Sequence, residues 1–135
     1  MISENKISQF IALLINETKQ GNVKWSEGLT RDIDSLEGEQ LLIGKSFLSE
    51  FKGKHLRLYK YSQLIQVDEF EYQKRVFFKL EFIEEISKDS LWSFPHYIRE
   101  LYDLYDTVQI KVNDIDDFFD KEIPDTDNPF LETPW

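Results

Sequence analysis

Residues 98–119 read IRELYDLYDTVQIKVNDIDDFF, and the fold turns on this run. Apolar side chains recur at Ile98, Leu101, Tyr105, Val108, Val112, Ile115 and Phe119, alternating steps of three and four. That spacing places all seven on one stripe of a helix, and Tyr97, Leu104 and Phe118 widen the stripe to the breadth of a core-facing surface. The opposite face carries Arg99, Glu100, Asp103, Asp106, Lys111, Asp116 and Asp117, so it is wet and mostly negative. One soft point interrupts the run. Val108, Ile110 and Val112 are β-branched and Asn113-Asp114 offers a cap, which predicts a break there and a second short helix to Lys121.

Working back from this run, Pro95 closes a short strand over Leu91–Phe94 and suits the start of the helix. Residues 75–84 form the clearest strand. Val76, Phe78, Leu80 and Phe82 point one way, while Arg75, Lys79 and Glu81 point the other. Phe77 and Ile83 interrupt the polar side, which predicts a second face partly covered by the N-terminal helix or another chain. Upstream, Phe47 and Phe51 share a face, Lys52-Gly53 makes a two-residue turn, and Leu56 and Leu58 return on that face. Ser62 to Val67 extends the returning strand.

At the other end, Ser3 caps a helix whose apolar positions are Ile7, Phe10, Ile11, Leu14 and Thr18 and whose stop is Gly21. Ile2 and Ile7 are placed as a hydrophobic staple, and Val23–Trp25 alternates as a short strand. Residues 27–40 read equally as a short helix or an ordered loop. The assembled expectation is an α+β fold: an N-terminal helix, an antiparallel meander of four or five strands, and a C-terminal helix or helix pair packed on the sheet. Residues 1–123 make one domain. Residues 124–135, punctuated by Pro124, Pro129 and Pro134, make an acidic and aromatic tail expected to dock on its own chain or on a second copy.

Composition narrows the function. There is no cysteine, which removes disulfides and thiolate metal sites. The start lacks a basic region before an apolar one, and the apolar run 10–15 is far shorter than the roughly 20 residues that span a bilayer, so a soluble cytoplasmic protein with no membrane partner is expected. The net charge of −10 is uneven. Residues 1–99 hold 14 Lys and Arg against 15 Asp and Glu, whereas residues 100–135 hold 2 against 11. Such a field repels phosphate backbones and attracts basic proteins.

The layout resembles that of small uncharacterised bacterial and phage proteins. The resemblance rests on TKQGNVKW at residues 18–25 and on Ile115-Asp116-Asp117-Phe118. It implies the order helix, strand meander, helix, and no activity. Separately, Asp125-Thr126-Asp127-Asn128-Pro129-Phe130 is similar to the acidic tip of bacterial single-stranded DNA-binding proteins, which partners grip by the aromatic ring and terminal carboxylate. Here Leu131 to Trp135 follow the Phe.

No constellation announces catalysis. Asp114, Asp116, Asp117, Asp120 and Glu122 are rich in metal-ligating oxygen, but on a helix they diverge, with only Asp116 and Asp120 one turn apart. Neither Asp32-Ile33-Asp34 nor Asp125-Thr126-Asp127 continues as a calcium loop. His55 and His96 fall in different elements, which argues against zinc. Lys45, Lys52, Lys54, His55, Arg57 and Lys60, with Tyr59 and Tyr61, form a basic aromatic hairpin suited either to stacking on single strands or to contact with the acidic C-terminal helix; the net charge disfavours direct nucleic-acid binding.

The function expected is therefore non-enzymatic and free of cofactor and metal: an acidic binding or inhibitory module of the immunity-protein, antitoxin or phage-inhibitor type, recognising a basic protein. Its contacts fall to Asp103, Asp106, Asp116, Asp117, Asp120, Phe130 and Trp135, and the chain's 20 aromatic residues supply contact surface. The alternatives are a carboxylate-dependent metal hydrolase near Asp116 and Asp120, and a structural homodimer joined through Phe77, Ile83 and Tyr59 on the second sheet face.

Overall fold

A computed structural model describes residues 2–33, 36 and 38–124. Helix α1 spans Glu4–Lys19, and its N-terminus is capped by Ser3, whose side chain accepts from the Lys6 amide at 3.1 Å. Its C-terminus is a Schellman motif, with Gly21 at φ +81, Asn22 N–H donating to Glu17 C=O and Gly21 N–H to Thr18 C=O. The Val23 amide also donates to Glu17. That bond holds Val23 in the helix end, so strand β1 is Trp25–Glu27 and begins two residues later than the alternation predicts. Ile2 stays more than half exposed.

The sheet has five antiparallel strands in sequence order, completed by β2 (Leu41–Phe51), β3 (Lys54–Gln66), β4 (Tyr72–Ile83) and β5 (Ser90–Ser93). The β2–β3 turn is the expected Lys52-Gly53, with φ values of 50° and 82° and Phe51 paired to Lys54. It sets Phe47 opposite Leu58. Gly44, at φ +67, lies in a bulge between Ile43 and Phe47. β1 and β5 are short, so the outer edges of β2 and β4 carry no strand over much of their length among the described residues.

Helices α1 and α2 (Glu100–Val112) pack together on one sheet face. The core joins Ile7, Ile11 and Leu14 of α1 to Leu101, Leu104, Tyr105 and Val108 of α2 and to Phe47, Leu56, Leu58 and Leu80 of the sheet. Phe10 stacks among Phe51, Phe82 and Phe94. Pro95 to Ile98 forms a turn ahead of α2, and Ile98 is buried all the same. The α+β architecture is thus the expected one.

Three details differ from expectation. Over the second sheet face lie residues 28–33, which include a turn of 3-10 helix at Thr30–Asp32, together with the β4–β5 turn at Lys88. Gly28 N–H donates to Ser46 C=O, and the Arg57 guanidinium donates to the Asp32 and Lys88 carbonyls at 2.9 Å each. Tyr59 and Ile83 are consequently buried inside one chain and are withheld from a homodimer contact. Finally, the chain breaks at Asn113-Asp114 as expected, but the core-facing stripe does not continue past the break and ends at Val112. Asp114 takes a left-handed φ of 54°, and α3 (Ile115–Glu122) restarts in a new phase with no buried residue.

Candidate interaction surface

Restarting a helix after a left-handed residue decouples its faces from those before it. On α3, Ile115, Phe118 and Phe119 occupy one arc and Asp116, Asp117 and Asp120 the opposite one. In a continuation of α2 the apolar arc would have met the core. Instead Phe118 is 59% and Phe119 54% exposed, their rings meeting edge to face at 5.6 Å, and Ile115 and Ile123 are exposed beside them. The four apolar residues assigned by period to the core, or left unremarked at Ile123, are therefore the surface residues that sequence reasoning missed. The signal was present in Asn113-Asp114, whose break changes the phase of everything after it.

The acidic residues are placed as follows. Asp103 and Asp106 are exposed on α2, and Asp117 and Asp120 are exposed on α3. Asp116 is half-buried and bonded, its Oδ2 accepting from Lys111 Nζ at 2.7 Å and its Oδ1 from the Asp117 amide at 3.0 Å. The hydrogen bond from the Lys111 ammonium holds the Asp116 carboxyl below its ordinary value, and the same bond holds the Lys111 ammonium above its own. Phe130 and Trp135, with the docking of the tail and the acidic Pro-Phe stretch, lie outside the described residues.

Two clefts flank the base of α3. One, of about 430 Å³, lies among Thr18, Val23, Trp25, Lys111, Asp114 and Asp117. The other, of about 230 Å³, lies among Lys19, Thr107, Ile110, Lys111 and Asp116. Asp116 and Asp117 thus open into different clefts, and among the described residues no group of three or more His, Asp or Glu is placed to hold a metal.

The basic hairpin does not present a stacking platform. Lys45 pairs with Glu27 at 2.6 Å, Lys60 sits 5.1 Å over the Tyr105 ring of α2, and Tyr59 and Tyr61 are buried. Arg57 is spent on Glu81. The hairpin's contact with the C-terminal helices is through an aromatic ring rather than a carboxylate. His55 lies 3.7 Å from Glu85, and His96 meets the Phe77 ring edge on.

No helix among the described residues is long and apolar enough to cross a membrane. No family model, curated protein or solved structure matches the chain.

Proposed function

We propose that the chain is a non-enzymatic binding module that docks a basic protein through α3 and the adjoining acidic face of α2. One observation carries this reading: α3 is an amphipathic helix whose aromatic face is open to solvent and whose opposite face carries Asp116, Asp117 and Asp120. Such a helix fits an apolar groove rimmed by Lys and Arg, with Phe118 and Phe119 as anchors and the carboxylates as rim charges that steer encounter. The inhibitor class, with bacterial or phage origin and a cytoplasmic setting, belongs to the same proposal and is supported by the layout and the acidic field alone.

The test is photo-crosslinking from position 118 in native lysate, against a probe at Phe70, a still more exposed aromatic in the β3–β4 turn. The expected result is one basic protein crosslinked from position 118, its capture abolished by Ile115→Ala/Phe119→Ala with the probe kept in place. Association should slow with salt, since the Debye length falls from about 10 Å at 0.1 M to about 3 Å at 1 M. Capture indifferent to the α3 substitutions would overturn the reading.

A further inference from the structure

Lys60 is half-buried and has no counter-ion among the described residues. Alternation along β3 puts it on the helix-side face with buried Leu56 and Leu58, where α2 reaches over the sheet with Tyr105. Its ammonium stands 5.1 Å from the centre of the Tyr105 ring. A ring face attracts a cation, yet it does not replace the oxygen acceptors that three N–H donors seek.

The space beside Lys60 is opened by the β2 bulge. Between the Phe47–Leu58 and Ile43–Lys60 pairs, residues 44–46 of β2 face Tyr59 alone. Gly44 takes φ +67 there, and having no Cβ it leaves open the space 3.6 Å from Tyr105 Oη. A cleft of about 270 Å³ results, with Ile43, Phe47, Lys60, Tyr105, Gln109 and Asn113 in its lining. Among the described residues that lining holds no carboxylate, unlike the two clefts at the base of α3. Tyr105 Oη makes only a long bond to the Lys45 carbonyl, at 3.4 Å, and the Gln109 side-chain amide has no partner among the described residues.

We propose that this cleft binds a small organic monocarboxylate, its head group on the Lys60 ammonium and the Gln109 amide and its apolar body toward Ile43 and Phe47. Charge sets the class. One unpaired ammonium balances one negative charge, whereas a phosphate monoester carries about −1.5 to −2 and needs a second cation. Lys45, at the rim, is not that cation while it holds Glu27 at 2.6 Å. Size limits the body. At roughly 30 Å³ each the cleft has room for about nine waters, just below the usual range for drug-sized ligands. No residue of α3 takes part, so the site is independent of what docks there.

Benzoate is the probe, titrated into the full chain and followed by NMR. It should shift the resonances of Lys60, Tyr105, Gln109 and Asn113 saturably and bind at least about tenfold more tightly than uncharged benzamide. Lys60→Met, which keeps the stem over the ring, should lose the same factor. Lys74→Met, an exposed cation on the same sheet face, should change affinity by less than about twofold. Gln109→Ala, at an exposed position of α2, should also weaken benzoate. Phenyl phosphate bound more tightly than benzoate would overturn the proposal, as would tighter binding of N-acetylglutamate amide, the stand-in for a protein side chain. Equal binding of benzoate and benzamide, equal losses in the two lysine variants, or no saturable shift would overturn it too.

Discussion

Arg57 and Glu81 stand directly opposite each other on β3 and β4, and both side chains are shut away from solvent, at 1% and 0% exposure. Arg57 donates to Glu81 Oε2 from both Nε and Nη2, and Ser90 and Ser93 donate to Oε1. With the Asp32 and Lys88 carbonyls also served by Arg57, both charges are closely hydrogen-bonded. Burying them is tolerable only on those terms.

Removing one partner strands the other. Arg57→Met or Glu81→Leu alone should cost about 3–5 kcal/mol in urea unfolding, because an uncompensated charge stays buried. The double substitution should cost clearly less than the sum of the two, and strict additivity would show that the pair is not coupled.

Core and surface apolar residues should separate cleanly. Leu101, fully buried on α2, should lose about 2–5 kcal/mol on truncation to Ala. Phe118→Ala should move unfolding by no more than about 0.5 kcal/mol, as for other exposed sites. A large loss at Phe118 would place α3 against a surface in the folded chain.

Two glycines should fail for different reasons. Gly53→Ala meets no atom but must keep φ +82, at a cost of about 1–2 kcal/mol. At Gly28 an added Cβ would lie 2.7 Å from Ser46 Oγ and 3.1 Å from Leu48 Cγ, so Gly28→Ala should loosen the segment over the second face. Hydrogen exchange distinguishes the two, with faster exchange at Gly28 and Ile33 expected only in the second variant.

The Lys111–Asp116 bond gives a pH signature. Asp116 is depressed below 3.8, so its contribution to stability is present above that value and is lost as pH falls through the lowered folded pKa. Lys111 is raised above 10.5, so its contribution is present below that value and is lost as pH rises through the raised one. A carboxyl NMR titration should find Asp116 low, and Lys111→Gln should move it upward. No movement would mean that the bond is absent in solution.

What the sequence made legible was whatever depended on side-chain period. Leu101, Tyr105 and Val108 fall in the core because a three-four alternation admits one buried face, and Phe47 meets Leu58 because a two-residue turn fixes register. What escaped it depended on the backbone. The closure of the second face by residues 28–33 and the β4–β5 turn rests on the carbonyls of Asp32 and Lys88, which carry no residue-specific mark. Glu81 alternates as a solvent-facing residue and becomes a buried counter-ion only because Arg57 arrives opposite it. The aromatic surface of α3 was hidden by a period that continued numerically through Ile115 and Phe119 while Asp114 turned the chain beneath it. The acidic residues were visible from the start, yet their division between two clefts was not.

The shortness of β5 bears on how the molecule behaves in a crowd. Only Glu81 to Ile83 of β4 pair with it, so among the described residues the strand from Tyr72 to Phe78 offers unclaimed backbone groups along its outer edge, with Val76 and Phe78 among them. An edge of that kind is a template on which further chains add, strand by strand, into aggregates. Lys74 and Arg75 sit in the middle of it and are exposed. Each incoming strand must desolvate a charge to pair there, so two basic side chains guard the molecule against polymerising through its own sheet.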